Sequence, residues 1–240
     1  MKVNEVEKQL TKMKTFYRLL FDFCVVTFIF TVTTRHMIHK NYTFGRMCRF
    51  WTMWSCWACL LYFFVAFCKQ LSLLLFDPSF IKRIRSDKAN FLVDVLNQLA
   101  FVLCLCVTLM FWVLFFKSPS NVLRIDGEWQ PTFVDQLFVT HFEHTFPFLF
   151  LLIDCLLFAQ GSKHIDQFYS ISKFSPVVAF FGYCGLCLKD YFDYGIRPYP
   201  FMDKWTLMML LATIVVVCNI ISCVFNPITY YIRSKLSLVL

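Results

Sequence analysis

FLVDVLNQLAFVLCLCVTLMFWVLFF, residues 91–116, is the stretch from which the architecture follows. Its 26 residues exceed the ~20 that an α-helix needs to cross the hydrocarbon of a bilayer. The run is mostly apolar, with Asp94 its one charged residue, and does not alternate, which excludes the in-out pattern of a membrane barrel strand. A lone crossing segment must satisfy its own backbone, so it is a helix.

Five more segments read the same way. With the first they predict six transmembrane helices, over about residues 16–34, 50–67, 91–116, 133–158, 174–192 and 205–231. The expected fold is therefore an all-α, six-helix membrane bundle forming one domain over residues 1–240. The first segment has Arg18 and Asp22 near its start and no small-residue exit before Arg35, so it reads as an uncleaved signal-anchor.

Composition agrees. Apolar residues make up 59% of the 240 and charged residues 16%, with mean hydropathy +0.62. Soluble domains hold roughly 45–50% apolar and about 25% charged residues. A net charge of +8 could suggest nucleic acid. However, the 23 Lys and Arg sit in short clusters between apolar runs, as juxtamembrane loops do, and nucleic-acid binding is excluded. Counting loops alternately places fourteen Lys and Arg on the side of the termini and nine on the other, which predicts cytosolic termini. The sequon at Asn41 then falls on the lumenal side.

The twelve Cys lie mostly inside apolar runs, where a thiol behaves as a small apolar filler. The pairs Cys56/Cys59 and Cys184/Cys187 have C-x-x-C spacing, but no His or second pair completes a metal set. Neither metal nor cofactor is expected. Trp51, Trp54 and Trp57 read as an interfacial aromatic belt. Lys189, Asp190 and Asp193 read as a solvated helix end.

Ionisable groups inside a span are costly, so each is a candidate for function. The densest set lies on the fourth segment: Asp135, His141, Glu143, His144 and Asp154. His141 and His144 share a helical face. Pro147 removes the N–H that would bond the Glu143 carbonyl and bends the helix beside His144. An intramembrane His can equally be a packing residue bonded to a Ser or a carbonyl, and polarity alone leaves both roles open. Thr52, early in the second helix, is a candidate nucleophile, although Thr in such helices usually bonds its own backbone. A hydroxyl needs a base to become a good nucleophile.

Three motifs carry a resemblance. GRMCRFWT (45–52), HFEHTFPF (141–148) and YFDYGIRPYP (191–200) resemble the androgen-induced gene 1 family. That family shows G-x-R-W-K-Y-L/M-T at the second helix, N-H-x-x-H-T on the fourth, and an aromatic stretch ending in Y-P. The resemblance implies an intramembrane threonine hydrolase that cleaves fatty-acid esters of hydroxy fatty acids. It implies Thr52 as nucleophile and His144 as general base. His141 matches the first His of the motif and Arg49 the basic residue three before the Thr. Arg46 or Arg49 is expected to hold the substrate carboxylate, and Glu143 to orient a His. The expected partners are a lipid ester and the bilayer. Thr140 stands where the family has Asn, and Met47 and Cys48 replace its R-W pair.

Depth poses a problem for the pair. At 1.5 Å per residue, His144 lies roughly 16 Å into the fourth segment as bounded above, whereas Thr52 is near the start of its own. The two meet only if the second helix starts near Arg46 or the fourth starts later. The rival reading is a non-catalytic six-helix lipid-binding or scaffold protein. A transporter lacks support because no inverted repeat or broken-helix pair is evident, and a haem carrier because His141 and His144 share one helix.

Overall fold

A computed structural model of the chain describes residues 2–39, 43–76, 87–117, 142–158, 169–195, 199, 202 and 205–236. The chain is all-helical, with no strand among the described residues. In order it forms α1 (Lys2–His39), the one-turn α2 (Phe44–Met47), α3 (Trp51–Leu75), α4 (Asp87–Lys117), α5 (Phe146–Phe158), α6 (Ser175–Tyr194) and α7 (Leu207–Ile220). A π-helical segment, Ile221–Phe225, joins α7 to α8 (Asn226–Leu236). Five stretches are long and apolar enough to span a membrane: Gln9–Ile38, Trp51–Leu75, Asn90–Lys117, Tyr169–Tyr194 and Leu207–Lys235. The described part of the fourth predicted segment contributes a shorter apolar helix, Phe146–Phe158. The protein is a multi-pass integral membrane protein.

Helices overrun the predicted bounds where nothing stops them. The sequence has no Gly before Gly45 and no Pro before Pro78, so α1 carries the polar leader and His36 in one helix, and α3 continues past 67 to Leu75. At the other end, Pro227 lacks an N–H and crowds the carbonyl four residues back. The helix answers with the π segment, in which the Asn226 N–H bonds the Ile221 carbonyl.

α4 is the central helix. Residues 100–107 are buried without interruption, which a helix shows only when it is enclosed on every side. α3 packs between α1 and α4, and α4 also meets α5, α6 and the π segment. By contrast α7 has no buried residue at all and presents Met208, Leu211, Val215 and Val216 outward, toward the lipid.

Polar ties cross the bundle. Arg18 of α1 pairs with Asp154 of α5 (Nη2–Oδ1 2.9 Å) and faces Asp22 (Nε–Oδ2 3.7 Å). Tyr62 of α3 donates to Asp154 (2.6 Å). On α8, Arg233 pairs with Asp94 and donates to Gln98 of α4. Gln98 in turn donates to Asn226 and Thr229 (both 3.0 Å). Paired charges are the form in which a buried ionic group is tolerated.

Candidate active site

α2 ends in a turn at Cys48–Arg49, and extended Phe50 (φ −105°, ψ 121°) opens α3. Thr52 is thus the second residue of α3 and is buried. His144 ends the described helical stretch 142–144, one residue before the turn at Thr145. The two side chains meet despite the depth expected from the sequence. Thr52 Oγ1 is 3.2 Å from His144 Nε2.

Pro147 shapes the turn that carries His144. The carbonyl of Glu143, denied its helical N–H partner, takes the Cys56 thiol of α3 (3.6 Å). Three residues on one face of α4 hold the rest. The Thr108 hydroxyl donates to the His144 carbonyl (2.5 Å), and Trp112 Nε1 donates to the Thr145 hydroxyl (2.9 Å). The Phe111 ring stacks on the imidazole, with centroids 3.8 Å apart and planes at 27°. The positions 108, 111 and 112 follow the i, i+3, i+4 spacing of a single helical face. The imidazole is fixed by packing before any substrate arrives.

The pair opens on a cavity of about 120 Å³, far above the ~10–15 Å³ that one water requires. Trp51, Phe111, Tyr183, Tyr199 and Ile214 are among the residues that line it. No Lys, Arg, Asp or Glu lines it. On α7 the lining residues Leu210, Thr213, Ile214 and Val217 form one stripe, while the opposite face meets lipid.

The other expected site residues that the structure describes, Arg46, Arg49 and Glu143, are not among those that line this cavity. Arg49 is committed to Asp190 of α6 (Nε–Oδ2 2.7 Å), and its carbonyl accepts the Tyr183 hydroxyl (3.3 Å). Asp190 is therefore no solvated helix end, unlike the exposed pair Lys189 and Asp193 (2.6 Å). Arg46 is exposed at the end of α2. Glu143 is buried and turns to α1, where His36 Nδ1 lies 2.6 Å from its Oε1. His141, Asp135, Thr140 and Asn41 lie outside the described residues. Trp51 is also no belt residue. It is buried, packed between Phe180 and Tyr183 (centroids 5.2 and 4.9 Å), because the first turn of α3 faces α6.

All twelve Cys are free thiols, and seven of them are buried. Among the described residues no group of three or more His, Cys, Asp or Glu is placed to hold a metal ion. Sequence reasoning did not single out Thr108, Phe111 and Trp112, whose part comes from facing the Pro147 bend. Nor did it single out Tyr199, although the 191–200 patch drew attention to that region.

The fold and site define a multi-pass helical membrane protein with a buried hydroxyl–imidazole pair at a cavity that no Lys, Arg, Asp or Glu lines. The chain belongs to the FAR-17a/AIG1-like family, whose model matches residues 13–232. No curated protein and no solved structure matches it.

Proposed function

We propose that the protein is an intramembrane carboxylic-ester hydrolase in which Thr52 is the nucleophile and His144 the general base. The observation that carries this is the 3.2 Å separation of Thr52 Oγ1 and His144 Nε2 at the wall of that cavity. With its proton on Nδ1, the imidazole accepts the threonine hydroxyl at Nε2. Thr52 Oγ1 attacks the ester carbonyl carbon as Nε2 takes the hydroxyl proton. The tetrahedral intermediate collapses and breaks the C–O bond to the leaving alcohol, which His144 protonates. Water, deprotonated by the same nitrogen, then cleaves the acyl-threonine, releasing the acid and restoring Thr52.

The substrate class we assign is the fatty-acid ester of a hydroxy fatty acid, in keeping with the family resemblance. Chemistry favours it: the cavity is apolar and α7 separates it from lipid by a single, loosely packed helix, so a long acyl chain reaches the site sideways. Exposed Arg46 meets the distal carboxylate at the interface, and Arg49 holds the turn before α3. Six spans with cytosolic termini complete the topology we propose.

The test uses Thr52→Ala and His144→Ala, purified in nanodiscs and assayed on a branched fatty-acid ester. Each variant is expected to lose turnover and covalent labelling by a fluorophosphonate. Wild-type turnover in either variant removes that residue from the mechanism. A wild-type protein that binds the ester but neither labels nor turns over supports the scaffold reading instead.

A further inference from the structure

An acyl-transfer site needs a donor for the negative charge that develops on the carbonyl oxygen. The start of α3 is the natural place to look, because a helix N-terminus presents unbonded N–H groups at its positive end. In this protein those groups are already engaged. The Met53 and Trp54 N–H groups both bond the Phe50 carbonyl (3.0 and 3.4 Å). The Trp51 N–H donates to the hydroxyl of Tyr199 (2.9 Å), which the Thr52 backbone also contacts. Phe50 brings no side-chain cap, so a tyrosine 148 positions away supplies it.

That arrangement places the Tyr199 hydroxyl beside the nucleophile. Its oxygen accepts from the helix terminus, and the hydroxyl meets the Thr52 side chain at the cavity that both residues line. Of the other hydroxyls on the cavity wall, Tyr183 is spent on the Arg49 carbonyl (3.3 Å) and Thr213 on the Met209 carbonyl (2.8 Å). The Trp51 indole nitrogen is buried and faces the Cys106 thiol. We propose that Tyr199 is a third catalytic residue, donating its phenolic proton in a hydrogen bond to the oxyanion formed when Thr52 attacks the ester. The inference rests on the Thr52–His144 reading and deepens it.

The energetic logic is cooperative. Backbone N–H groups at the positive end of α3 polarise the phenol, and chained hydrogen bonds of this kind strengthen one another where little water is present. The helix terminus thus acts on the oxyanion through the tyrosine. Burial, the largest cause, pushes the Tyr199 phenol up to about 12, although hydrogen bonds from Thr52 and Trp51 pull the other way. The phenol is therefore neutral and able to donate at any physiological pH. Gly195, in the left-handed conformation (φ 66°), ends α6 four residues before Tyr199.

The experiment compares wild type, Tyr199→Phe, Thr52→Ala and a protein with 3,5-difluorotyrosine at 199, all in nanodiscs. Tyr199→Phe is expected to lower kcat by about 10²–10³-fold, the usual effect of removing one oxyanion donor, with KM nearly unchanged and fluorophosphonate labelling slowed in parallel. Fluorination acidifies the phenol and keeps its shape. It is expected to bring into the kcat profile an alkaline limb that wild type lacks below pH 10. Wild-type kcat in Tyr199→Phe overturns the proposal. So does a Tyr199→Phe loss matched by unfolding while the fluorinated protein keeps the wild-type pH profile. If Thr52→Ala stays active, the underlying Thr–His reading fails. If Thr52→Ala is inactive and Tyr199→Phe is not, the Tyr199 role alone fails.

Discussion

Replacing Asp154 by Asn tests whether the charge cluster of α1, α3 and α5 is a structural clamp separate from the site. In the native protein the Arg18 guanidinium meets Asp154 at 2.9 Å, with side-chain exposures of 12% and 4%. It also donates to the Phe158 carbonyl (3.0 Å) and the Tyr62 hydroxyl (3.2 Å). Removing one partner of a buried pair costs about 3–5 kcal/mol, because the other charge is left behind. Asp22 still faces Arg18 at 3.7 Å, so the low end, about 3 kcal/mol, applies. For a chain of this length 1 kcal/mol moves Tm by roughly 2–4 °C, and the expected fall is about 6–12 °C. The assay is a thermal-unfolding cycle in nanodiscs with Asp154→Asn, Arg18→Met and the double variant. The double variant should lose about 2 kcal/mol less than the sum of the singles. A neutral interhelical hydrogen bond in a bilayer averages only about 0.6 kcal/mol, so coupling of that larger size identifies charge as its source. Well below the transition, kcat should be unchanged, since the cluster touches neither Thr52 nor His144. Additivity within about 0.5 kcal/mol would refute the clamp. Loss of kcat in a folded variant would refute its separation from the site.

Two further outcomes concern the site itself. Phe111→Ala removes the ring stacked at 3.8 Å on His144 and frees the imidazole to tilt. Misplacing a reacting group by ~1 Å can cost about 10²-fold, so kcat should fall by about ten- to a hundredfold, with little change in KM for a short-chain ester. An unchanged kcat would show that Thr108 and Trp112 suffice. Thr213→Trp fills the α7 side of the cavity. It should raise KM for a long-chain ester while sparing an acetate ester, measured side by side, and equal effects on both would place acyl binding elsewhere.

Much of the fold is written in single features of the chain. The apolar run of α4 and the Pro147 bend were readable because each acts locally, through hydrophobicity or a missing N–H. Thr52 and His144 were reachable through motifs that resemble a family. Helix ends were misjudged where polarity was taken for a boundary. His36 and Lys69 are polar yet helical, since nothing nearby breaks the backbone. The partners of Arg49 and Glu143 were hidden for a different reason. Asp190 lies 141 positions from Arg49, and His36 sits on a helix whose neighbours only the packing reveals. Tyr199 was the hardest to see, because its part depends on which backbone N–H groups of α3 lack a partner.

The location of the site follows from the same economy of backbone bonds. Inside a bilayer a bundle satisfies its polar backbone within each helix, and only a start, an end or a proline leaves groups over. α3 begins with no side-chain cap of its own, and Pro147 interrupts the helix that carries His144. These two defects meet directly beside α4. The leftover carbonyls of 143 and 144 are met by Cys56 and Thr108, and the leftover N–H of Trp51 by Tyr199. Each of these partners orders the shell around Thr52 and His144. Restoring the missing bond, as in Pro147→Ala, would strengthen the helix and release the turn from α3 and α4. A bundle made more regular at that point would hold its imidazole less well, because the irregularity is what recruits the groups that fix it.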